Sequence, residues 1–170
     1  MIYVTTGTTK YDFFRLFVNL EKSLRDLNSQ EKTIIQVNHT KYQPKIKNIK
    51  IVSSLPYKKN IQTLKKSRLT ICHGGISSIV LAMKLCKNKA IIVPRYSKFE
   101  EHINNHQVDF CQILAKKYPI HLLLDSKKFQ SKLRKLIIHT HTNPLHNQKN
   151  KTNHKVIEIL DKFCSQLPIN

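Results

Sequence analysis

Tryptophan is absent from this 170-residue chain, glycine occurs three times, and 10 Asp and Glu face 30 Lys and Arg. No apolar run approaches the roughly 18 residues that a membrane-spanning helix needs, so no stretch of the sequence reads as a transmembrane segment. The opening residues Met1 to Thr5 read as a strand, not as the charged and then apolar leader of an exported protein, and a cytoplasmic chain is expected. The four cysteines, Cys72, Cys86, Cys111 and Cys164, are scattered with no CxxC pair, so free thiols in a reducing compartment are expected. His139, His141 and His146 match no standard zinc spacing and have no cysteine near them in sequence; they read as part of a solvated loop.

What is abundant is positive charge. The formal net charge is +20, and the stretch from Lys32 to Lys98 holds fifteen Lys and Arg without one Asp or Glu. Such a field attracts nucleic acid, anionic lipid headgroups or nucleotide phosphates, and charge alone does not choose among them. A nucleic-acid-binding module is therefore one alternative, although no RNP signature, Arg-rich motif or helix-turn-helix supports it. Hydrophobic residues make up 40% of the chain and fall in blocks, which excludes wholesale disorder and allows one domain with a real core.

Short apolar runs alternate with longer amphipathic ones. Strands are expected at Ile2–Thr5, Thr33–Val37, Ile49–Ser53, Leu69–Cys72, Ala90–Val93 and His121–Leu124. Helices are expected at Tyr11–Leu27, Asn60–Lys66, Ser77–Leu85, His102–Lys116, Phe129–Ile138 and Val156–Phe163. This alternation predicts an α/β fold, a Rossmann-like, mostly parallel sheet with helices on both faces. The expected organisation is a single domain: a core over 1–138, a polar loop over 139–152 and a C-terminal helix over 153–165.

Three glycines in 170 residues is far below the usual share of about 7%. A sequence this sparing keeps glycine where a side chain would obstruct. Gly7 follows the first strand in Thr5-Thr6-Gly7-Thr8-Thr9, and Gly74 and Gly75 follow the fourth in Cys72-His73-Gly74-Gly75-Ile76-Ser77-Ser78. Both are strand-to-helix turns at carboxyl ends of strands, where open α/β sheets bind ligands. Hydroxyls and free backbone N–H groups there suit an anion such as a phosphate, while ordinary turn chemistry is the plainer explanation. Neither GxGxxG nor GxxxxGK[ST] is present, which disfavours a common NAD or ATP site. A third landmark, Val93 to Gln107, packs Glu100, Glu101, His102, Asn104, Asn105, His106 and Gln107 together after a strand ended by Pro94. Such a cluster can bond sugar hydroxyls, a ribose or a base edge, or simply cap a helix.

These stretches together resemble the C-terminal, nucleotide-sugar-binding domain of family 28 glycosyltransferases, which have the GT-B fold. The matching segments are IYVTTGTT from Ile2, Leu55-Pro56-Tyr57, LTICHGGISSI from Leu69, and IVPRYSKFEEHINNHQ from Ile92. The resemblance is nearest to stand-alone subunits of split enzymes: bacterial capsule or exopolysaccharide galactosyltransferases, and the small subunit of the dolichol-pathway UDP-N-acetylglucosamine transferase. It implies that Gly7 and Thr8 face the partner half and acceptor, and that His73, Gly74, Gly75 and Ser78 surround the donor diphosphate. It implies that Glu101, His102, His106 and Gln107 line the pocket for sugar and nucleotide, with Arg95 among the binding residues. Glu101 and His102 are the candidates for catalysis, with no base identified.

The resemblance further implies hexosyl transfer, β-1,4-galactosyl as the single best choice, from a UDP-sugar to a lipid-linked saccharide. The UDP-sugar is the donor, with no cofactor and no metal. A separate membrane-associated subunit would hold the acceptor, with this basic chain peripheral at the inner membrane face. Three departures stand out. Leu81 occupies the position of a ribose-binding Glu, Glu100 that of a Gly, and Asn38 that of a Gly ending the second strand region; Asn tolerates a left-handed turn. Leu81 motivates a further alternative, a non-catalytic partner subunit of the same fold.

Overall fold

The computed structural model describes residues 1–86, 90–118 and 120–142. Six parallel strands form one sheet in the order β3-β2-β1-β4-β5-β6. They are β1 (Ile2–Thr5), β2 (Thr33–Gln36), β3 (Ile49–Val52), β4 (Leu69–His73), β5 (Ile91–Val93) and β6 (His121–Leu122). The helices are α1 (Phe14–Asp26), α2 (Tyr57–Lys66), α3 (Ile76–Leu85), α4 (His106–Lys117) and α5 (Phe129–Thr142). The α/β, Rossmann-like expectation is met in full. The strand order reverses between β1 and β4, and that crevice is where a doubly wound sheet receives its ligand.

Burial on both faces explains the sequence of the central strands. In β1 and β4 every residue is buried, as parallel strands covered by helices on both sides require. Ile2, Val4, Ile35, Leu69, Ile71, Ile91 and Val93 pack with Phe13, Leu16, Phe17, Leu20 and Leu24 of the α1 region and with Phe129, Leu133 and Ile137 of α5. The intervening strand residues Cys72 and Ile92 face Ile79 and Ala82 of α3 and Cys111 and Leu114 of α4. Tyr3 is wholly buried and donates or shares hydrogen bonds with Gln36 and with Asn60 of α2, each at 2.9 Å.

The ends of elements carry the main departures from expectation. Helix α1 begins at Phe14, and α4 begins at His106 rather than His102. Asn side chains compete for the backbone in that stretch: Asn105 Oδ1 accepts from the N–H and hydroxyl of Ser97, both at 3.0 Å, and Asn104 Oδ1 accepts from the N–H of His106 at 3.2 Å. Helix α5 runs through Thr142, four residues into the segment expected to be a loop. Once a helix is formed each added residue gains a hydrogen bond, and no proline intervenes before Pro144. The rest of that segment and the expected C-terminal helix lie outside the described residues.

Three non-glycine residues adopt left-handed backbone: Asn28 (φ 47°), Asn38 (φ 55°) and Glu100 (φ 56°). Asn28 closes α1, with its N–H on the Arg25 carbonyl and the Ser29 N–H on that of Leu24, both at 2.9 Å. Asn38 and Glu100 thus hold a backbone conformation that glycine adopts more readily than any other residue.

Candidate active site

The β1–α1 turn and the β4–α3 turn lie side by side at the carboxyl edge of the sheet, and His73 stands between them. A Cβ added to Gly7 would come within 2.5 Å of His73 Cε1, and one added to Gly75 within 2.2 Å of His73 Nε2. Gly7 also has φ +74°, which any side chain would strain. A Cβ on Gly74 would meet Gln107 Cβ and Cys111 Sγ, each at 3.0 Å. All three glycines of the protein are thus needed at one place. Two flank an imidazole, and the third lets the β4–α3 turn close onto α4.

His73 is buried, and its Nδ1 has no hydrogen-bond partner. Burial pushes its pKa down to about 4, helped by the Arg95 cation and by His102, with the Thr5 backbone acting the other way. The ring is therefore neutral at physiological pH. Cys72, its neighbour in the strand, points instead into the core beneath α3, where burial holds its thiol protonated.

Helix α3 starts from Gly75 without a side-chain cap, so the N–H groups of its first turn have no intrahelical acceptor. Ser78 lies half-buried in that turn, and Thr8 is exposed on the opposite loop. Beyond them, the half-buried His102 ring lies 4.5 Å edge-on from that of the exposed His106 and 5.8 Å from the Tyr11 ring. His102 Nδ1 is buried without a partner, and burial together with His106 and Arg95 lowers its pKa. Chemically, the crevice offers a row of N–H donors, two hydroxyls and three imidazoles, those of His73 and His102 each with a buried Nδ1 that has no hydrogen-bond partner. Among the described residues no three His, Cys, Asp or Glu side chains gather in a way that could hold a metal ion.

Three residues expected to face a substrate are used otherwise. Glu101 is 2% exposed, and its carboxylate accepts from Arg15 Nε and Nη2 at 2.9 and 2.8 Å and from the Tyr96 N–H at 3.1 Å. With those bonds both oxygens are engaged, so Glu101 is poorly placed to take a proton from a substrate. Arg95 is 1% exposed and points into the protein, its guanidinium on backbone carbonyls. Gln107 is buried with its Oε1 accepting from the Arg95 N–H at 3.3 Å, though it borders Gly74. The physical reason is shared: a polar side chain that folding buries must find its partners inside, and here Arg15, the loop carbonyls and the Arg95 N–H supply them. Leu81 is half-buried on α3.

Arg15 was not legible as part of this region. It lies in α1, inside the run Phe13-Phe14-Arg15-Leu16-Phe17, and only a cation interrupting an aromatic run hinted at it. Its guanidinium is surrounded by the rings of Phe13, Tyr96, Phe99 and Phe129 at 5.1 to 5.5 Å.

Residues 1–163 match the family model of the glycosyltransferase family 28 C-terminal domain. No curated protein matches the chain in sequence. Eight chains of solved structures match it. One, described as the crystal structure of the glycotransferase of kitacinnamycin, superposes with a TM-score of 0.62 at 12% identity, over 98% of this chain and 43% of that one. At this identity the likeness shows the fold alone, and the chain spans less than half of that structure.

Proposed function

Because the chain belongs to the glycosyltransferase family 28 C-terminal domain family, we propose that it is the donor-binding half of a GT-B glycosyltransferase that uses a UDP-sugar. The observation that carries this reading is the convergence of every glycine on one crevice, with Gly7 and Gly75 flanking His73 at the strand-order reversal. Departure of UDP leaves charge on the diphosphate. The uncapped N-terminus of α3 is suited to stabilise it without the water that would otherwise do so. With Glu101 engaged by Arg15, His102 is the better of the two candidate bases in this chain, and the acceptor half is the other source of one.

The finer reading is transfer of a hexose, galactose in β-1,4 linkage as the single best choice, onto a lipid-linked saccharide for capsular or exopolysaccharide synthesis. A separate membrane-associated subunit would hold that acceptor, and the net charge of +20 suits recruitment to an anionic membrane face. Among the described residues no helix is long and apolar enough to cross a membrane. The runner-up is a non-catalytic subunit of the same fold, favoured by Leu81 where a ribose-binding Glu is usual.

Calorimetric titration with UDP and ADP at high salt tests the reading. UDP-selective binding that Gly75→Ala weakens at least tenfold is the expected result. Equal, salt-sensitive uptake of both nucleotides would point to a general polyanion binder. Absence of UDP binding even after co-expression with the acceptor subunit would favour the non-catalytic alternative.

A further inference from the structure

Arg95 lies two residues beyond the end of β5 and reaches across the carboxyl edge of the sheet to the loop between β1 and α1. Its Nη2 donates to the Thr6 carbonyl at 3.1 Å, and its Nη1 to those of Tyr11 and Asp12 at 3.0 and 2.9 Å. Nη1 also reaches the Glu101 carbonyl at 3.3 Å. The guanidinium lies 4.4 Å from the centre of the Phe13 ring, and the side chain is almost wholly buried.

Loop residues 6–13 contain no regular structure, so their own backbone supplies little to hold them. The other ties are lighter. Asn38 Nδ2 donates to the Thr9 carbonyl at 2.7 Å, and Thr6 Oγ1 to the Gln36 carbonyl at 2.9 Å. The Phe13 N–H reaches Thr40 Oγ1 at 3.3 Å. A cation so deeply buried persists only where acceptors are aimed at it, and three of the four acceptors here belong to this one loop. The planar fork is what lets one side chain serve several carbonyls at once; a lysine ammonium on a flexible stem would not match them.

We propose that Arg95 is a positioning residue, whose guanidinium fastens the Thr6–Phe13 loop to the β5–α4 loop and so fixes the wall that Gly7 presents to His73. Its further consequence, that the donor meets a preformed crevice, rests on the functional reading above. In this arrangement Arg95 touches no substrate. It acts through the position of Gly7, whose backbone closes one side of the imidazole.

The test uses the whole chain and Arg95→Lys, which keeps the charge and loses the fork. Hydrogen exchange followed by mass spectrometry reads the loop, and UDP titration at high salt reads the crevice. At least tenfold faster exchange in residues 6–13 is expected, with β1 and β4 still protected and UDP affinity reduced tenfold or more. Unchanged loop exchange would overturn the proposal, and so would a loss of protection spread evenly over loop and sheet. A loosened loop with full UDP affinity would overturn the link to the donor. If the wild-type chain fails to bind UDP, the functional reading falls, while the exchange result still decides whether Arg95 holds the loop. Should Arg95→Lys not fold, the wild-type protein suffices: slow-exchanging, resolved guanidinium protons in the NMR spectrum support the fastening, and a freely rotating, averaged guanidinium overturns it.

Discussion

The carboxylate of Glu101 and the guanidinium of Arg15 meet through two hydrogen bonds across 86 residues of sequence, on side chains that are 3% and 12% exposed. An acid that its position offers to a substrate is instead a brace between α1 and the loop before α4. Around it, four aromatic rings exclude water from Arg15.

Breaking such a pair from one side strands the other charge. Glu101→Gln is expected to destabilise the fold by about 3 kcal/mol, the lower end of what losing one partner of a buried ion pair costs. Urea denaturation of variant and wild type at pH 7.5 measures it. A change below about 0.5 kcal/mol would mean that Arg15 finds water or another acceptor with little loss.

Glycine substitutions separate two effects at one imidazole. Gly75 has φ −78°, so Gly75→Ala is strained only by the 2.2 Å approach to His73 Nε2. Gly7→Ala adds a left-handed penalty of about 1–2 kcal/mol to a similar clash. Both variants should lose UDP affinity, with Gly7→Ala the less stable of the two in thermal denaturation.

The left-handed residues predict opposite outcomes. Glu100 is exposed and has φ 56°, so Glu100→Gly should stabilise by about 0.5–1 kcal/mol. Asn38→Gly relieves the same strain but removes the bond from Nδ2 to the Thr9 carbonyl. It should be neutral or destabilising. Paired denaturation curves for the two variants read this contrast directly.

Acid should weaken the protein before carboxylates titrate. His73 sits at about 4 when folded against an ordinary value of 6.5, so between these pH values the unfolded chain binds the extra proton. Stability from this group is complete above about pH 6.5 and declines toward pH 4, by on the order of 1.4 kcal/mol per pH unit once the unfolded histidine is protonated. His102 contributes in the same direction. In Glu31, burial pushes upward, but Arg68 and the N-terminal ammonium outweigh it and lower the carboxyl, so its share is lost only at still lower pH. Urea midpoints from pH 7.5 to 5 should fall, and His73→Asn should flatten that slope.

Much of this architecture was readable along the chain because its signals are local. Alternating apolar runs mark strands and amphipathic helices within a few residues of each other, and their right-handed crossovers leave few ways to assemble a parallel sheet. Element ends were less legible. The start of α4 depends on Asn104 and Asn105 finding Ser97 and His106, and the end of α5 on how far an established helix propagates.

Sequence alone determined the fold class, the two glycine turns at the carboxyl edge, and His73 beside them, since scarcity of glycine and its place after strands are properties of the chain itself. Tertiary structure decided what the charged residues do. Whether Glu101 and Arg95 face a ligand or the interior depends on Arg15, Thr6, Tyr11 and Asp12, which lie 83 to 89 residues away. Apolar burial follows from patterns that neighbours share. The pairing of a buried charge is settled only when distant segments bring its partner within hydrogen-bond reach, because desolvation must be matched by contacts made at that one point.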